Sequence, residues 1–223
     1  WQSASDLYAT CSIGLTDATP GPSIDLAAIG ARCTSRTIES ATLHAGFLDQ
    51  PFMAFGKRWA NLQRVQFGDG EALLSLTLAP QFRDDTSWCL LHPALLDMAT
   101  GGAQALIPGF DQAKDFYVPV SYGRVQLYAG LPPVIYSHVR LAEGTGHDVA
   151  VFDVTITDET GAIIADIEGF GMKRVAAQTA LAHSVATQAT GSAAAASATE
   201  QTPAAAIAND LLTNGLLVAE GLD

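Results

Sequence analysis

The chain has 223 residues, and its hydrophobic content of 48% is enough to build at least one compact core. The formal net charge of −12 and the scattering of the 11 Lys and Arg residues exclude a nucleic-acid surface, which needs clustered basic side chains. No apolar run approaches the ~20 residues that span a bilayer, and no basic, apolar leader opens the chain, so we expect a cytoplasmic protein that does not enter membranes.

The N-terminal part of the chain predicts a strand followed by a connector. Residues 7–13 have the pattern of a strand, and because the chain starts inside this region without Met, we interpret it as a fragment of a longer protein. Turn-forming residues dominate residues 16–23. The connector, residues 16–50, is expected to contain two short helices at 24–32 and 37–48.

The middle of the chain predicts an antiparallel sheet. In residues 149–157 apolar side chains alternate with more polar ones, as in a strand with one buried face. Short connections rich in Gly, Pro and Asp separate the strands, which favours antiparallel pairing. The predicted strands are residues 71–78, 117–128, 134–141, 149–157 and 162–175.

One helix interrupts this sheet. In residues 93–106, Leu95, Ala99 and Gly102 recur at helical spacing, and the small residues would allow a sheet to approach closely. A single apolar helix within a long antiparallel sheet is typical of the hot-dog fold, in which the sheet wraps around the helix. We therefore predict an α+β architecture for residues 51–175.

The composition changes abruptly after residue 175. Residues 176–205 consist mainly of Ala, Ser and Thr, contain no aromatic residue, and predict a disordered linker. Residues 206–223 regain an apolar pattern that predicts a short helix. This helix is expected to be the start of a following region.

The most informative string in the chain is HPALLD, at residues 92–97. Pro93 suits the first helical position, His92 is expected to cap the helix, and Asp97 follows within the next turn. Apolar neighbours would disfavour ionisation of the Asp97 carboxyl group, which could then donate a proton to a leaving hydroxyl. The alternative is that Asp97 only complements the helix N-terminus electrostatically.

This string resembles a motif that opens the hot-dog helix in the second half of dehydratase domains of modular type I polyketide synthases. The residues FGKRW at 55–59 are similar to the Tyr-Gly-Pro-x-Phe/Trp motif of that family. Residues 1–13 resemble the strand that closes its first hot dog, and the likeness covers residues 1–175. It implies that residues 1–15 end the N-terminal hot dog of a double hot dog and that residues 51–175 form its C-terminal half.

The resemblance also implies a function. Such domains are lyases that remove water from a 3-hydroxyacyl chain on the phosphopantetheine of an acyl carrier protein, which gives a trans-2-enoyl thioester. Asp97 would protonate the departing hydroxyl. A histidine of the first hot dog, in a His-x-x-x-Gly-x-x-x-x-Pro motif, would remove the α-proton. That histidine has no counterpart here, so the chain alone is expected to be inactive.

The implied partners are the acyl carrier protein, the N-terminal hot dog, neighbouring synthase domains and, because such synthases are commonly homodimeric, a second copy. The sequence contains no cofactor motif and no metal-ligand spacing, so we expect the domain to use neither. Its three cysteines are too widely spaced for a metal site or a disulfide framework. We expect four other histidines to be structural: His44, His138, His147 and His183.

The predicted site has one catalytic residue and eight motif or tunnel residues. They are Asp97, and His92, Pro93, Leu96, Gly101, Phe55, Gly56, Arg58 and Trp59. The family usually has Gln or His where this chain has Gly101, so we expect Asp97 to lack a hydrogen-bond partner there. Gln104 is expected to lie roughly 10 Å further along the axis of the same helix, too far to replace that partner without a water bridge.

Two more positions depart from the family, since Phe55 replaces its Tyr and Lys57 replaces its Pro. The loss of the tyrosine hydroxyl removes a polar group that could line the tunnel. These departures leave two alternatives to a dehydratase. One is a degenerate, non-catalytic structural domain, and the other is a double-bond isomerase or cyclase on the same fold.

Overall fold

The computed structural model describes residues 9–15, 21–40, 49–50, 53–176 and 217–220. The strands are β1 (Ser12–Leu15), β2 (Arg36–Glu39), β3 (Asp49–Gln50), β4 (Met53–Ala54), β5 (Leu62–Phe67), β6 (Glu71–Thr77), β7 (Asp115–Ser121), β8 (Arg124–Leu127), β9 (Val134–Leu141), β10 (Val149–Thr157), β11 (Ile163–Ala176) and β12 (Leu217–Glu220). The helices are α1 (Leu26–Arg32) and α2 (Pro93–Gly101), and 3₁₀ turns span Lys57–Trp59, Pro80–Ser87 and Gln104–Leu106.

Ten of these strands form one sheet in the order β1-β12-β8-β11-β10-β9-β6-β5-β2, with β7 paired to the other end of β11. Strands β3 and β4 form a separate hairpin. Every pair of strands in the described part of the chain is antiparallel, as the short connections predicted. Among the same residues, no helix is long and apolar enough to cross a membrane.

Strand β10 confirms the clearest pattern in the sequence. Its alternating apolar residues, from Ala150 to Ile156, are all buried in the main core. Thr155, on the opposite face, is buried as well, and its hydroxyl accepts hydrogen bonds from the Arg140 guanidinium at 3.3 Å. Both faces of the sheet are therefore covered at this strand, whereas the alternation alone predicts only one covered face.

The predicted strand at residues 117–128 is two strands. Strands β7 and β8 both pair with β11, at different ends of its length, and Gly123 lies in the break between them. The Gly123 N–H donates to the carbonyl oxygens of Glu168 and Gly169, at 3.0 and 3.2 Å. Gly169 has a φ of 65°, a left-handed conformation that favours glycine. The irregular backbone at Gly169 lies between the part of β11 that pairs with β8 and the part that pairs with β7.

Helix α2 packs on β6, β9 and β10, which confirms the predicted arrangement of one helix against an antiparallel sheet. The contact is close. The buried Ser137 hydroxyl donates to the Ala99 carbonyl at 2.7 Å, and a Cβ placed on Gly102 would lie 2.7 Å from Leu74 Cδ2. Small residues on this face of α2 therefore set the distance between the helix and the sheet.

Two helix predictions are wrong over part of the residues that the structure describes. Instead of a helix from residue 37, the chain forms strand β2, which pairs with β5 and contains the β-branched Thr37 and Ile38. Ser40 is helical, as predicted, and residues 41–48 lie outside the described residues. Instead of a helix at the C-terminus, Leu217–Glu220 is a strand that pairs with β1 and β8. In both places, pairing with a sheet edge satisfies the backbone hydrogen bonds.

Other predictions on these segments fall partly outside the described residues. The helix predicted at 24–32 is confirmed as α1. The strand predicted at 7–13 is described only from residue 9, and strand β1 begins later than predicted, at Ser12. The linker at 176–205 lies outside the described residues except for Ala176, which ends β11. The division of the chain into domains stays a prediction.

A charged cluster attaches α1 to the face of the sheet opposite α2. Arg32 donates from Nε and Nη2 to the two carboxylate oxygens of Glu71 at 2.8 and 2.9 Å, and His138 Nε2 lies 2.7 Å from Glu71 Oε2. Arg140 donates to His138 Nδ1, so the histidine hydrogen is on Nε2 and points to Glu71. The Arg32 and His138 hydrogen bonds outweigh burial and lower the pKa of Glu71 from 4.5 to about 2.

This cluster predicts a pH-dependent stability. The lowered pKa of Glu71 means that its contribution is fully present above about pH 4.5 and is lost as the pH falls towards 2. The free energy of unfolding of the wild type should fall by roughly 1–2 kcal/mol more than that of Glu71→Gln between about pH 5 and about pH 3. Urea unfolding at several pH values measures this difference.

The matched control is Glu39→Gln. Glu39 also accepts from an arginine, Arg64, at 2.8 Å, but both side chains are more than half exposed. The free energy of unfolding of Glu39→Gln should depend on pH as that of the wild type does, since exposed ion pairs contribute little. Equal slopes for the wild type and Glu71→Gln would show that the cluster does not couple protonation to folding.

Candidate active site

The start of helix α2 is fixed by the residues that the sequence singled out. Pro93 occupies the first helical turn, and His92 Nδ1 accepts the Leu95 N–H at 3.3 Å, so the prediction that His92 caps the helix is confirmed. Because Nδ1 accepts, the hydrogen of the neutral ring is on Nε2, which lies 3.3 Å from Asp85 Oδ2. His92 is 2% exposed, which suits a structural role.

Asp85 joins this cap to the neighbouring 3₁₀ turn, Lys57–Trp59. Its Oδ2 also accepts from Arg58 Nε at 2.6 Å, and the Arg58 guanidinium carbon lies 4.4 Å from the centre of the Phe82 ring. The hydrogen bond from Arg58, with a further one from His92, lowers the pKa of Asp85. The carboxylate therefore stays charged near neutral pH and holds both partners.

The Asp97 carboxylate has a hydrogen-bond partner, Trp59. The indole Nε1 donates to Asp97 Oδ2 at 2.7 Å. Nearby, the fully buried Asn61 donates from Nδ2 to the carbonyls of Arg58 and Ala94, both at 2.9 Å, and so ties the 3₁₀ turn to α2. Sequence reasoning missed Asn61 and Asp85, because neither stands in a recognisable motif.

Asp97 is exposed in the structure, although, as predicted, mostly apolar residues line a cavity beside it. Asp97 is exposed even though its neighbours Leu95 and Met98 are buried in the core, where Met98 also lines the cavity. The reason is the helical period, which puts Asp97 on the same stripe as the exposed Pro93, one turn earlier. Leu96 is half-buried and packs against the edge of the core.

A mostly apolar cavity of about 140 Å³ opens beside Asp97. Ligand pockets usually measure roughly 300–1,000 Å³, so this cavity has room for only a short part of a ligand. It is lined by Phe55, Asp97, Met98, Gly101, Gln104, Phe116, Tyr117, Val118, Pro119, Phe170 and Met172. Asp97 is the only carboxylate in this lining, within the part of the chain that the structure describes.

Gln104 lies nearer to the site than a continuous helix would place it. Helix α2 ends at Gly101, and the 3₁₀ turn Gln104–Leu106 brings the Gln104 side chain back over the helix end. The nearest atom to a Cβ placed on Gly101 would be Gln104 Nε2, at 3.8 Å. Gln104 therefore reaches the cavity through a change in chain direction, and the expectation that it does not replace the missing partner of Asp97 stays a prediction.

The upstream motif also reaches this cavity. The Phe55 ring lines it and lies 6.3 Å from the Trp59 ring, centre to centre. Gly56 precedes the 3₁₀ turn, whose Lys57 is exposed. Tyr122 stacks on Phe170 at 5.0 Å, and its pKa is raised by burial and by the charge of Asp97.

The other predicted structural histidines have separate partners where the structure describes them. His138 belongs to the Glu71 cluster, and His147 Nε2 lies 3.0 Å from the buried Asp115 carboxylate. His44 and His183 lie outside the described residues. No group of His, Cys, Asp and Glu residues that could hold a metal occurs among the described residues.

Comparison with known proteins defines the family. Residues 25–182 match the family model described as "Polyketide synthase dehydratase N-terminal domain". The chain therefore belongs to the polyketide synthase dehydratase family. A curated relative, polyketide synthase PksM of Bacillus subtilis (strain 168), is 22% identical over 156 residues, which are 67% of this chain and 4% of PksM.

Solved dehydratase domains share the fold. A dehydratase domain of a trans-AT polyketide synthase from Brevibacillus brevis matches with a TM-score of 0.63 and 22% identity, over 71% of this chain and 55% of that chain. The dehydratase domain from the CurJ module of curacin polyketide synthase matches with a TM-score of 0.60 and 22% identity, over 70% of this chain and 56% of that chain. The chain thus spans about half the length of these solved domains.

The two adjacent glycines at the end of α2 provide a matched test of the close helix–sheet contact. A Cβ on Gly102 would lie 2.6 Å from the Met98 carbonyl oxygen, whereas a Cβ on Gly101 would meet nothing closer than 3.8 Å. Gly102→Ala should therefore lower the free energy of unfolding by about 1–3 kcal/mol. Gly101→Ala should be neutral or stabilising by up to about 1 kcal/mol, because Ala favours helix.

Urea unfolding of both variants and the wild type measures the difference. Both substitutions add one methyl group to a glycine at the end of α2. If helix propensity alone mattered, both would therefore stabilise the protein. Equal effects of the two variants would contradict the close approach at Gly102.

Proposed function

We propose that this chain supplies the aspartate-bearing half of a dehydratase active site in a polyketide synthase. The substrate is a 3-hydroxyacyl chain presented on the phosphopantetheine of an acyl carrier protein, and the product is a trans-2-enoyl thioester. The observation that carries the proposal is the position of Asp97, at the mouth of an apolar cavity and on a helix start fixed by His92 and Asp85.

The proposed reaction needs one acid and one base. A histidine imidazole from the other hot dog removes the α-proton, and the electron pair of that C–H bond forms the new Cα–Cβ double bond. The Cβ–O bond breaks, its electron pair stays with oxygen, and Asp97 gives that oxygen a proton. One water molecule leaves, and Asp97 becomes a carboxylate.

A solved relative supports the role of the aspartate. The CurK dehydratase with an aspartate replaced by asparagine is described as an inactive mutant, and it matches this chain with a TM-score of 0.59 and 23% identity over 71% of this chain. The CurK dehydratase with a histidine replaced by phenylalanine is also described as inactive. These two residue types are the acid and the base of the proposed mechanism.

The exposure of Asp97 supports the assignment to one half of a double hot dog. A general acid works best where water is excluded, and the described residues leave the Asp97 side of the cavity open. We propose that the N-terminal hot dog covers it and supplies the histidine. This half-domain assignment rests on the Asp97 helix, although the matching family model is described as an N-terminal domain. The chain alone should be inactive.

The test is dehydration by the complete domain. The chain is expressed together with the half that precedes it in the synthase, and a 3-hydroxyacyl carrier protein is supplied as substrate. Mass spectrometry follows the loss of one water from the acyl chain. Asp97→Asn should lower the rate at least about 100-fold, the usual scale of general acid catalysis.

Asp69→Asn is the matched control, because Asp69 is an exposed carboxylate between β5 and β6 and does not line the cavity. It should react as the wild type does. A folded complete domain that dehydrates equally well with Asp97→Asn would refute the proposal. No reaction by the folded wild type would instead favour the structural alternative suggested by Gly101, Phe55 and Lys57.

A further inference from the structure

The hydrogen bond between Trp59 and Asp97 distinguishes the two oxygens of the carboxyl group. Trp59 Nε1 donates to Asp97 Oδ2 at 2.7 Å, a short distance for an N–H donor. An indole nitrogen can donate a hydrogen bond but cannot accept one. Oδ2 therefore acts as the acceptor, and because the carbonyl oxygen of a protonated carboxyl group accepts more strongly than its hydroxyl oxygen, the bond favours the acidic hydrogen on Oδ1.

The other oxygen is in a different situation. Asp97 Oδ1 has no hydrogen-bond partner among the residues that the structure describes, and the Asp97 side chain lines the cavity. A protonated carboxyl group places its hydrogen on one oxygen only. The Trp59 hydrogen bond to Oδ2 favours Oδ1 as that oxygen.

We infer that Trp59 is a positioning residue that makes Oδ1 the proton-donating atom of Asp97 and stabilises the carboxylate left behind. This inference rests on the proposed function. When the proton passes from Oδ1 to the departing hydroxyl, negative charge spreads over both oxygens. The Trp59 hydrogen bond then changes from a neutral to a charge-assisted one, which is stronger. An interaction that strengthens as the reaction proceeds accelerates it.

The surroundings of Trp59 hold its N–H in place before the reaction starts. Its ring packs against the main core and lies beside Phe55. The 3₁₀ turn that carries Trp59 is tied to α2 by the two Asn61 hydrogen bonds, and to the helix cap by the Arg58–Asp85 ion pair. Trp59 and Asp97 therefore move as one unit, and little reorganisation is needed when the charge develops.

Nuclear magnetic resonance tests the bond without any assay of activity. The chain has three tryptophans, Trp1, Trp59 and Trp88. In a ¹⁵N–¹H spectrum of the 223-residue chain, the signal missing from Trp59→Phe identifies the Trp59 indole. In Asp97→Ala that signal should move upfield, because the N–H loses its hydrogen-bond acceptor, while the Trp88 signal stays in place. An unchanged Trp59 signal would overturn the inference.

Kinetics test the consequence in the complete domain. Trp59→Phe keeps an aromatic ring but removes the N–H, so kcat should fall roughly 10- to 100-fold while KM changes little. Trp88→Phe is the matched control, since Trp88 is 57% exposed and does not line the cavity; it should keep the wild-type kcat. In the Asp97→Asn background, Trp59→Phe should cause no further loss, because both act on one proton transfer.

The outcomes separate the inference from the proposed function. If Asp97→Asn is inactive and Trp59→Phe has the wild-type kcat, the inference fails and the proposed function stands. If Asp97→Asn is active, the proposed function fails, whatever the spectrum shows. If Trp59→Phe does not fold, the Asp97→Ala spectrum still decides whether the bond exists.

Discussion

The short distance between helix α2 and the sheet is the constraint on which the site depends. It requires a glycine at position 102, where a Cβ would be 2.7 Å from Leu74 Cδ2, and it allows Ser137 to donate to the Ala99 carbonyl. A helix that lies this close has one orientation about its axis. That orientation buries Leu95 and leaves Asp97 facing outwards, beside the cavity.

Polar clusters on both faces of the sheet act on different parts of the molecule. On one face, Glu71 with a pKa of about 2 holds α1 to strands β6 and β9 through Arg32 and His138. On the other, Asp85 connects Arg58 with the helix cap at His92. The first cluster concerns stability. The second determines how the 3₁₀ turn with Trp59 lies against the helix with Asp97.

The described part of the site lacks one of the groups that the proposed reaction needs, and the chain covers only part of the length of its relatives. It offers one carboxylate, an indole N–H donor and an apolar cavity of about 140 Å³. Elimination of water also needs a base, and the described histidines, His92, His138 and His147, each lie within 3.3 Å of a carboxylate oxygen. The chain spans 55% of a solved dehydratase domain, and we propose that the remaining part supplies the base.

While Asp97 became the candidate acid only through the resemblance of residues 92–97 to a family motif, the sequence by itself determined two local features: the helix start at His92 and Pro93, and the alternation of β10. Each depends on neighbours within a turn or along one strand, where periodicity and capping are visible. Only the tertiary structure decided that Trp59 donates to Asp97, across 38 residues of chain, and that Gln104 returns to the cavity. Such contacts depend on where helices end and how closely they pack, and no local pattern encodes either.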